Sequence, residues 1–197
     1  AALSVDRDPF LPPPSGDRPG PREATRAQVA AARRRLAGPD GSDFDLLREV
    51  VDRYRAARGW KARRAYCREN HLRVRILEEI ALVRRDLVEA LRGRSRGRRR
   101  RKPTSSDRAA FHRSIAAGLV QNVAVRSGRY AYTHAAIREI HIHPGSALFD
   151  ASHRPEIIVA ASVVEGENRT FARNVGPVRI EWLERVAGHL IGLSRRR

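Results

Sequence analysis

Between Arg169 and Val175 the chain reads as a strand, and side-chain alternation along a strand sends Arg169, Phe171 and Arg173 to one face. Two guanidiniums around an aromatic ring can grip phosphate oxygens while the ring stacks on a base. A second set repeats that chemistry: Arg126 and Arg129 flank the turn Ser127-Gly128, with Tyr130 and Tyr132 directly behind. A third set is purely electrostatic. From Arg92 to Lys102 eight of eleven residues are basic, ending in the unbroken run Arg98, Arg99, Arg100, Arg101 and Lys102. Such a block repels itself and stays solvated unless a polyanion condenses it. Each set has a plainer reading. Phe171 and one tyrosine also suit a core with the arginines fanned into solvent, and the basic run also suits an inert linker.

Other chemistries lack their residues. The sequence has no G-x-x-x-x-G-K-[ST] loop, no Walker-B pair and no G-x-G-x-x-G after a strand. ATP hydrolysis therefore has no place here, and the chain reads as non-enzymatic with no cofactor of its own. His141 and His143 share one face of a strand, with His134 nearby, but no carboxylate or cysteine stands at a partnering spacing. They read as half-exposed strand histidines, and no metal is expected. Ser146 after Pro144-Gly145 lacks the G-x-S-x-G frame of a nucleophile. The lone Cys67 excludes an internal disulfide and reads as a small packed residue.

Composition points the same way as the basic sets. The 197 residues carry 40 Lys plus Arg against 22 Asp plus Glu, a formal net charge of +18, which favours a polyanionic partner. All the basic residues but Lys61 and Lys102 are arginine, a skew that GC-rich coding also produces, so charge alone does not decide the matter. Hydrophobic residues at 41% can supply a packed core. No apolar run approaches the roughly 20 residues of a membrane span, and the first residues lack the basic-then-apolar order of a signal peptide. A cytoplasmic protein is expected, with no membrane partner. The absence of methionine predicts a processed chain or a piece of a longer protein.

The elements that must position these residues follow from local pattern. Six prolines and two glycines between 6 and 22 predict an extended connector over 1-22. The Ala, Arg and Gln mix from Glu23 to Ala37 predicts a helix stopped by Gly38-Pro39. Ser42 and Asp45 resemble a capping box ahead of a helix from about 43 to 57, and a short helix is expected from Arg63 to Asn70. Leu72, Ile76, Ile80, Val83, Leu87 and Leu91 mark one face of the best amphipathic helix, which stops at Gly93. Residues 23-93 thus form a partial helical bundle, and 94-106 an Arg-rich linker.

Beyond Pro103 a helix at Asp107 to Gly118 precedes β-branched runs at Val120 to Val125, Arg129 to Thr133, Ile137 to His143, Ile157 to Val164 and Arg169 to Val175. With a closing helix from Ile180 to Leu193, residues 107-193 suit a five-stranded antiparallel OB-fold barrel with flanking helices. The fold class is α+β in two parts, bundle then barrel. In an OB-fold the sheet face and the loops after the first and fourth strands receive oligonucleotides.

The stretch from Ile142-His143-Pro144-Gly145-Ser146 to Leu148-Phe149, then Phe171-Ala172-Arg173-Asn174-Val175, Val178, Glu181-Trp182-Leu183, Ala187 and His189, resembles the C-terminal OB-fold of DEAH-box ATP-dependent RNA helicases, bacterial HrpA type. Leu3-Ser4-Val5, Pro9-Phe10, Ser42-Asp43, Tyr66-Cys67-Arg68 and Leu72 are similar to the helical domain that precedes it there. The resemblance implies a non-catalytic RNA-binding and regulatory module that grips single-stranded RNA. ATP and magnesium would belong to motor domains outside this chain, with a regulatory protein as a further partner on the OB-fold. Arg94 to Lys102 matches no motif of that family. Two other readings remain open: a protein-interaction module docking on the motor or a regulator, and an independent basic nucleic-acid-binding protein.

Overall fold

The computed structural model describes residues 1–5, 7–11, 25–38, 41–94, 108–137, 139–149 and 154–184. Contacts divide the chain into two units, one of residues 1–39 with 45–102, the other of 40–44 with 103–197. The segment 40–44 thus groups with the second unit and not with the bundle assigned to 23-93.

The first unit is helical. Helix α1 (Arg26–Ala37) opens on a capping box: Thr25 Oγ1 accepts the Gln28 N–H at 3.2 Å, and Gln28 Oε1 accepts the Thr25 N–H at 2.8 Å. It is followed by α2 (Asp43–Ala56), α3 (Gly59–Glu69) and α4 (Val74–Arg94). Helix α3 starts four residues earlier than the pattern suggests, because Gly59 at φ 82° turns the chain straight out of Ala57-Arg58. The core takes Val29 and Leu36 from α1, Leu46, Val50 and Tyr54 from α2, Cys67 from α3, and Ile76, Leu77 and Ile80 from α4.

Two expectations for this unit change. Within the connector expected to be extended over 1-22, Ala2–Ser4 instead form a 3-10 turn, and Val5 and Phe10 are buried in the bundle core. Phe10 bridges Leu72 as a strand would, with Leu11 N–H on His71 O and Arg73 N–H on Pro9 O, both at 2.8 Å. Pro9, with φ fixed by its ring, favours this extended pairing, and the apolar Phe10 beside it draws the segment inward. The amphipathic stripe of α4 is buried at Ile76 and Ile80 but runs out to solvent, with Leu91 62% exposed. Periodicity reports a face, not how far the core extends along it.

The second unit holds α5 (Arg108–Gly118), a 3-10 turn at Val120–Asn122, and strands β1 (Val123–Arg126), β2 (Ala131–His134), β3 (Ile140–Ile142), β4 (Ile157–Glu165) and β5 (Thr170–Pro177). The strands close into a barrel in the order β1-β2-β3-β5-β4. The expected all-antiparallel barrel is corrected at one seam: β3 and β5 run parallel, His141 beside Phe171 and Ile142 beside Ala172. Parity requires it. Strand directions cannot alternate around a closed ring with an odd number of strands, so one pair must be parallel.

Inside the barrel lie Ala124, Tyr132, Ile140, Ile142, Ile158, Ala160, Ala172 and Val175. A second cluster packs Val159, Val178 and Leu183 with Phe44 and Ala116, against partly buried Phe111, Ile115 and Trp182. Strand β4 is therefore covered on both faces along its first half, which is why Ile157-Ile158-Val159-Ala160-Ala161 is continuously apolar instead of alternating. Of the expected closing helix, Ile180 to Glu184 is helical and the remainder lies outside the described residues.

Candidate nucleic-acid interface

The turn between β1 and β2 brings a cation–aromatic cluster to the barrel surface. Strand β1 ends at Arg126, whose neighbour across the ladder is Tyr132. The chain then turns tightly, Ser127 N–H and Gly128 N–H both meeting Ala131 O at 3.0 and 3.1 Å, so Arg129 and Tyr130 project from a short, pinned loop. The Tyr130 ring is braced by Phe149, with centroids 5.7 Å apart and planes tilted 31°. Guanidiniums of Arg154 and Arg129 stand 4.1 and 5.4 Å from the ring centroid, a cation–π arrangement.

Arg154 did not stand out in the sequence. Its Nη2 donates to Phe149 O at 2.7 Å, which ties it to the cluster, while its buried Nε has no hydrogen-bond partner. No pattern identifies it beforehand, because it enters from the far side of the barrel sequence, just before β4. Arg126 donates to Arg154 O at 3.4 Å and lies 3.9 Å from Glu156, too long for a tight ion pair. Arg129 and Arg154 have no acidic partner among the described residues. A patch of three guanidiniums with so little internal neutralisation is set up to attract phosphate.

Tyr132 belongs elsewhere. It is fully buried inside the barrel, its hydroxyl donating to Pro155 O at 2.9 Å. Burial raises its pKa, opposed by the nearby Arg126 and Arg154 charges. Tyr130 faces out and Tyr132 in although they are two residues apart, because Tyr130 lies in the turn ahead of β2 and escapes the alternation that would put both on one face.

On the other set, β5 begins at Thr170, so Arg169 lies in the hairpin turn, its carbonyl accepting the Gly166 N–H at 2.9 Å. Glu165 and Glu167 share that hairpin, which dilutes its charge. Phe171 and Arg173 do flank the inward Ala172, but Phe171 packs edge-on against His143, ring centroids 5.6 Å apart at 78°. His143 is itself held by accepting the Gly145 N–H at 3.0 Å on Nδ1. Across the outer face Val164, Phe171, His141 and Ala131 sit in register on four neighbouring strands, and Glu139 pairs with His141 at 2.9 Å. The structure thus gathers Arg126, Arg129 and Tyr130 with Arg154 and Phe149, and places Phe171 with the histidine strand.

Arg98, Arg99, Arg100, Arg101 and Lys102 lie outside the described residues. Among the described residues no three His, Cys, Asp or Glu side chains gather as a metal would need. No described helix is long and apolar enough to cross a membrane.

The second unit also has a cleft of about 650 Å³ lined by Arg113, Glu156, Ile157, Val178, Arg179 and Trp182, among others. Its charges are mixed, unlike those around Tyr130.

With this geometry in hand, the comparison with known families agrees with the barrel: residues 111–191 match the family model described as "Oligonucleotide/oligosaccharide-binding (OB)-fold", so the C-terminal part of this chain is an OB-fold preceded by helices.

Proposed function

We propose that this chain is the non-catalytic RNA-binding and regulatory part of a DEAH-box ATP-dependent RNA helicase, holding single-stranded RNA for motor domains that lie outside it. The observation that carries the reading is the Arg126–Arg129–Tyr130–Arg154 cluster on the loop after the first strand of an OB-fold, one of the two loops through which such barrels take oligonucleotides. The arginines would meet backbone phosphates, and the partly exposed Tyr130 ring would stack on a base. Stacking on a ring tolerates any sequence, as a stepping motor requires. ATP and magnesium would be bound by the motor, since no phosphate-binding loop occurs in this sequence. The Arg-rich run would add affinity of its own.

The test is fluorescence anisotropy of a labelled single-stranded RNA over a salt series, comparing the chain with a variant carrying Arg129→Gln, Tyr130→Ala and Arg154→Gln. Each lost phosphate contact should flatten the slope of log K against log salt by about 0.7, so the variant should lose about 1.4 along with affinity. An unchanged slope and affinity would sink the reading. A chain without RNA affinity would favour the second one, a module that docks on the motor or a regulator. The mixed-charge cleft beside Trp182, with two arginines and two carboxylates around apolar walls, suits a peptide better than a nucleic acid.

A further inference from the structure

Helix α3 carries a surface that the described residues leave open to solvent. Between Asp52 and Glu69 the sequence has no acidic residue, while Arg53, Arg55, Arg58, Lys61, Arg63, Arg64 and Arg68 supply seven cations. Arg53 and Arg55 are taken up by Glu49 and Asp52, and Arg63 leans over Tyr54 while donating to Ala57 O. Arg58, Lys61, Arg64 and Arg68 are exposed and have no acidic partner among the described residues. In their midst Trp60 is 55% exposed.

An exposed tryptophan surrounded by unpaired cations is an uncommon surface. Tryptophan is among the more buried residues on average, and leaving half of it in water forgoes hydrophobic stabilisation. Among the described residues, the Arg64 guanidinium stands 5.0 Å from its ring centroid. Trp60, Arg64 and Arg68 recur every fourth residue with Lys61 alongside, so they form one stripe about 12 Å long at 1.5 Å rise per residue. That length is close to the Debye length of roughly 8–10 Å, so neighbouring charges act jointly on a polyanion. An apolar protein partner would have to bury these cations without counter-charge, which is costly, whereas a single strand offers phosphates for the cations and a base for the ring.

We propose that this stripe is a second single-stranded RNA contact, in which Trp60 stacks on a base and Arg58, Lys61, Arg64 and Arg68 hold the phosphates on either side. It shares with the reading above only the class of ligand, and it stands on the helical unit alone. An RNA held at two separate surfaces would bind with an effective concentration set by the strand between them.

The experiment titrates the full chain with a single-stranded oligouridylate, following both anisotropy and tryptophan emission. Four variants are compared: Trp60→Ala, Trp60→Phe, the quadruple Arg58→Gln, Lys61→Gln, Arg64→Gln and Arg68→Gln, and the barrel triple variant. RNA should quench emission in the parent chain and not in Trp60→Ala. Trp60→Ala should weaken binding by about 5- to 150-fold, with Trp60→Phe recovering most of it. The quadruple variant should flatten the salt slope by up to about 2.8. These residues are exposed, so an unchanged circular dichroism spectrum and melting curve are expected and separate binding from folding.

Parental affinity and slope in the helix variants, with loss in the barrel variant, would overturn this inference and leave the barrel reading standing. The reverse result would overturn the barrel site and support the stripe. Parental binding in both would remove both. Quenching by polyglutamate as strong as by RNA of equal charge would overturn the RNA assignment in favour of an acidic protein segment, and tighter binding of single-stranded DNA than of RNA would overturn it in favour of DNA.

Discussion

The Asp43 carboxylate accepts the backbone N–H of Val175 at 2.8 Å, and its other oxygen accepts the N–H of Ala147 at 2.7 Å. Beyond Ala172 strand β5 has run past its parallel neighbour β3, which ends at Ile142, so the Val175 amide would be left without a ladder partner. Asp43 takes the place of the missing strand. It is 4% exposed, and all three residues belong to the barrel unit. A carboxylate meets two amides at once, and at a buried site such charged hydrogen bonds are worth more than neutral ones.

Asp43→Asn should therefore destabilise the barrel by about 1.5–3 kcal/mol, because the amide can turn an acceptor to only one of the two N–H groups and aims a donor at the other. Urea unfolding followed by Trp emission would show a lower midpoint with an unchanged slope. A midpoint equal to that of the parent chain would mean that water satisfies these amides.

Gly176 sits where a side chain has no room. A Cβ there would lie 2.7 Å from Cε2 of the buried Phe44 ring. Gly176→Ala should cost about 1–3 kcal/mol by overpacking, and Phe44→Leu in the same chain should recover part of that loss. The double-mutant cycle on thermal melts measures the coupling; strict additivity would show that the two sites do not meet.

Tyr132 and Tyr130 should separate cleanly. Tyr132→Phe removes the hydroxyl that Pro155 O accepts and leaves that carbonyl unpaired, a loss of about 1 kcal/mol in stability with RNA affinity unchanged. Tyr130→Ala should do the opposite, weakening RNA and sparing the melt. Matching effects of the two substitutions on RNA would contradict the inward position of Tyr132.

Burial pushes the Cys67 thiol up to about 11, with Glu78 adding to it, and pushes Tyr66 up to about 12 against the pull of Arg53. Both groups are held neutral in the folded bundle, and their ordinary values lie near 9 and 10. The unfolded chain therefore releases these protons first, so their contribution is intact below pH 9 and lost between pH 9 and 12. Melting temperature should fall across that window, less steeply in Cys67→Ala than in the parent. At neutral pH the thiol should react with a disulfide reagent only at the rate of unfolding.

Much of the architecture was legible in the chain. Leu46, Val50 and Tyr54 at helical spacing, and Ile76 with Ile80 further on, mark bundle faces that are buried as expected. The five β-branched runs each overlap a strand, although the first half of the Val120 to Val125 run is a 3-10 turn. Local pattern is enough there because propensity, periodicity and turn chemistry agree. The residues of the candidate interface were legible by type but not by grouping. Alternation separates the two faces of β5, yet nothing in it shows that Phe171 would lean on His143 or that Arg154 would cross to Tyr130. Trp60 went unnoticed because a lone tryptophan near a helix start looks like core.

Charge, the order of helices before strands, and the lack of a phosphate-binding loop were determined by the sequence itself, since each depends on residue identity or on neighbours a few positions apart. The parallel seam between β3 and β5, the insertion of Phe10 beside Leu72, the reach of Asp43 to Val175 and the clustering of Arg154 with Tyr130 were decided only by tertiary structure. Each of these joins residues far apart in the chain, and their meeting follows from barrel closure and core packing, which no local window contains.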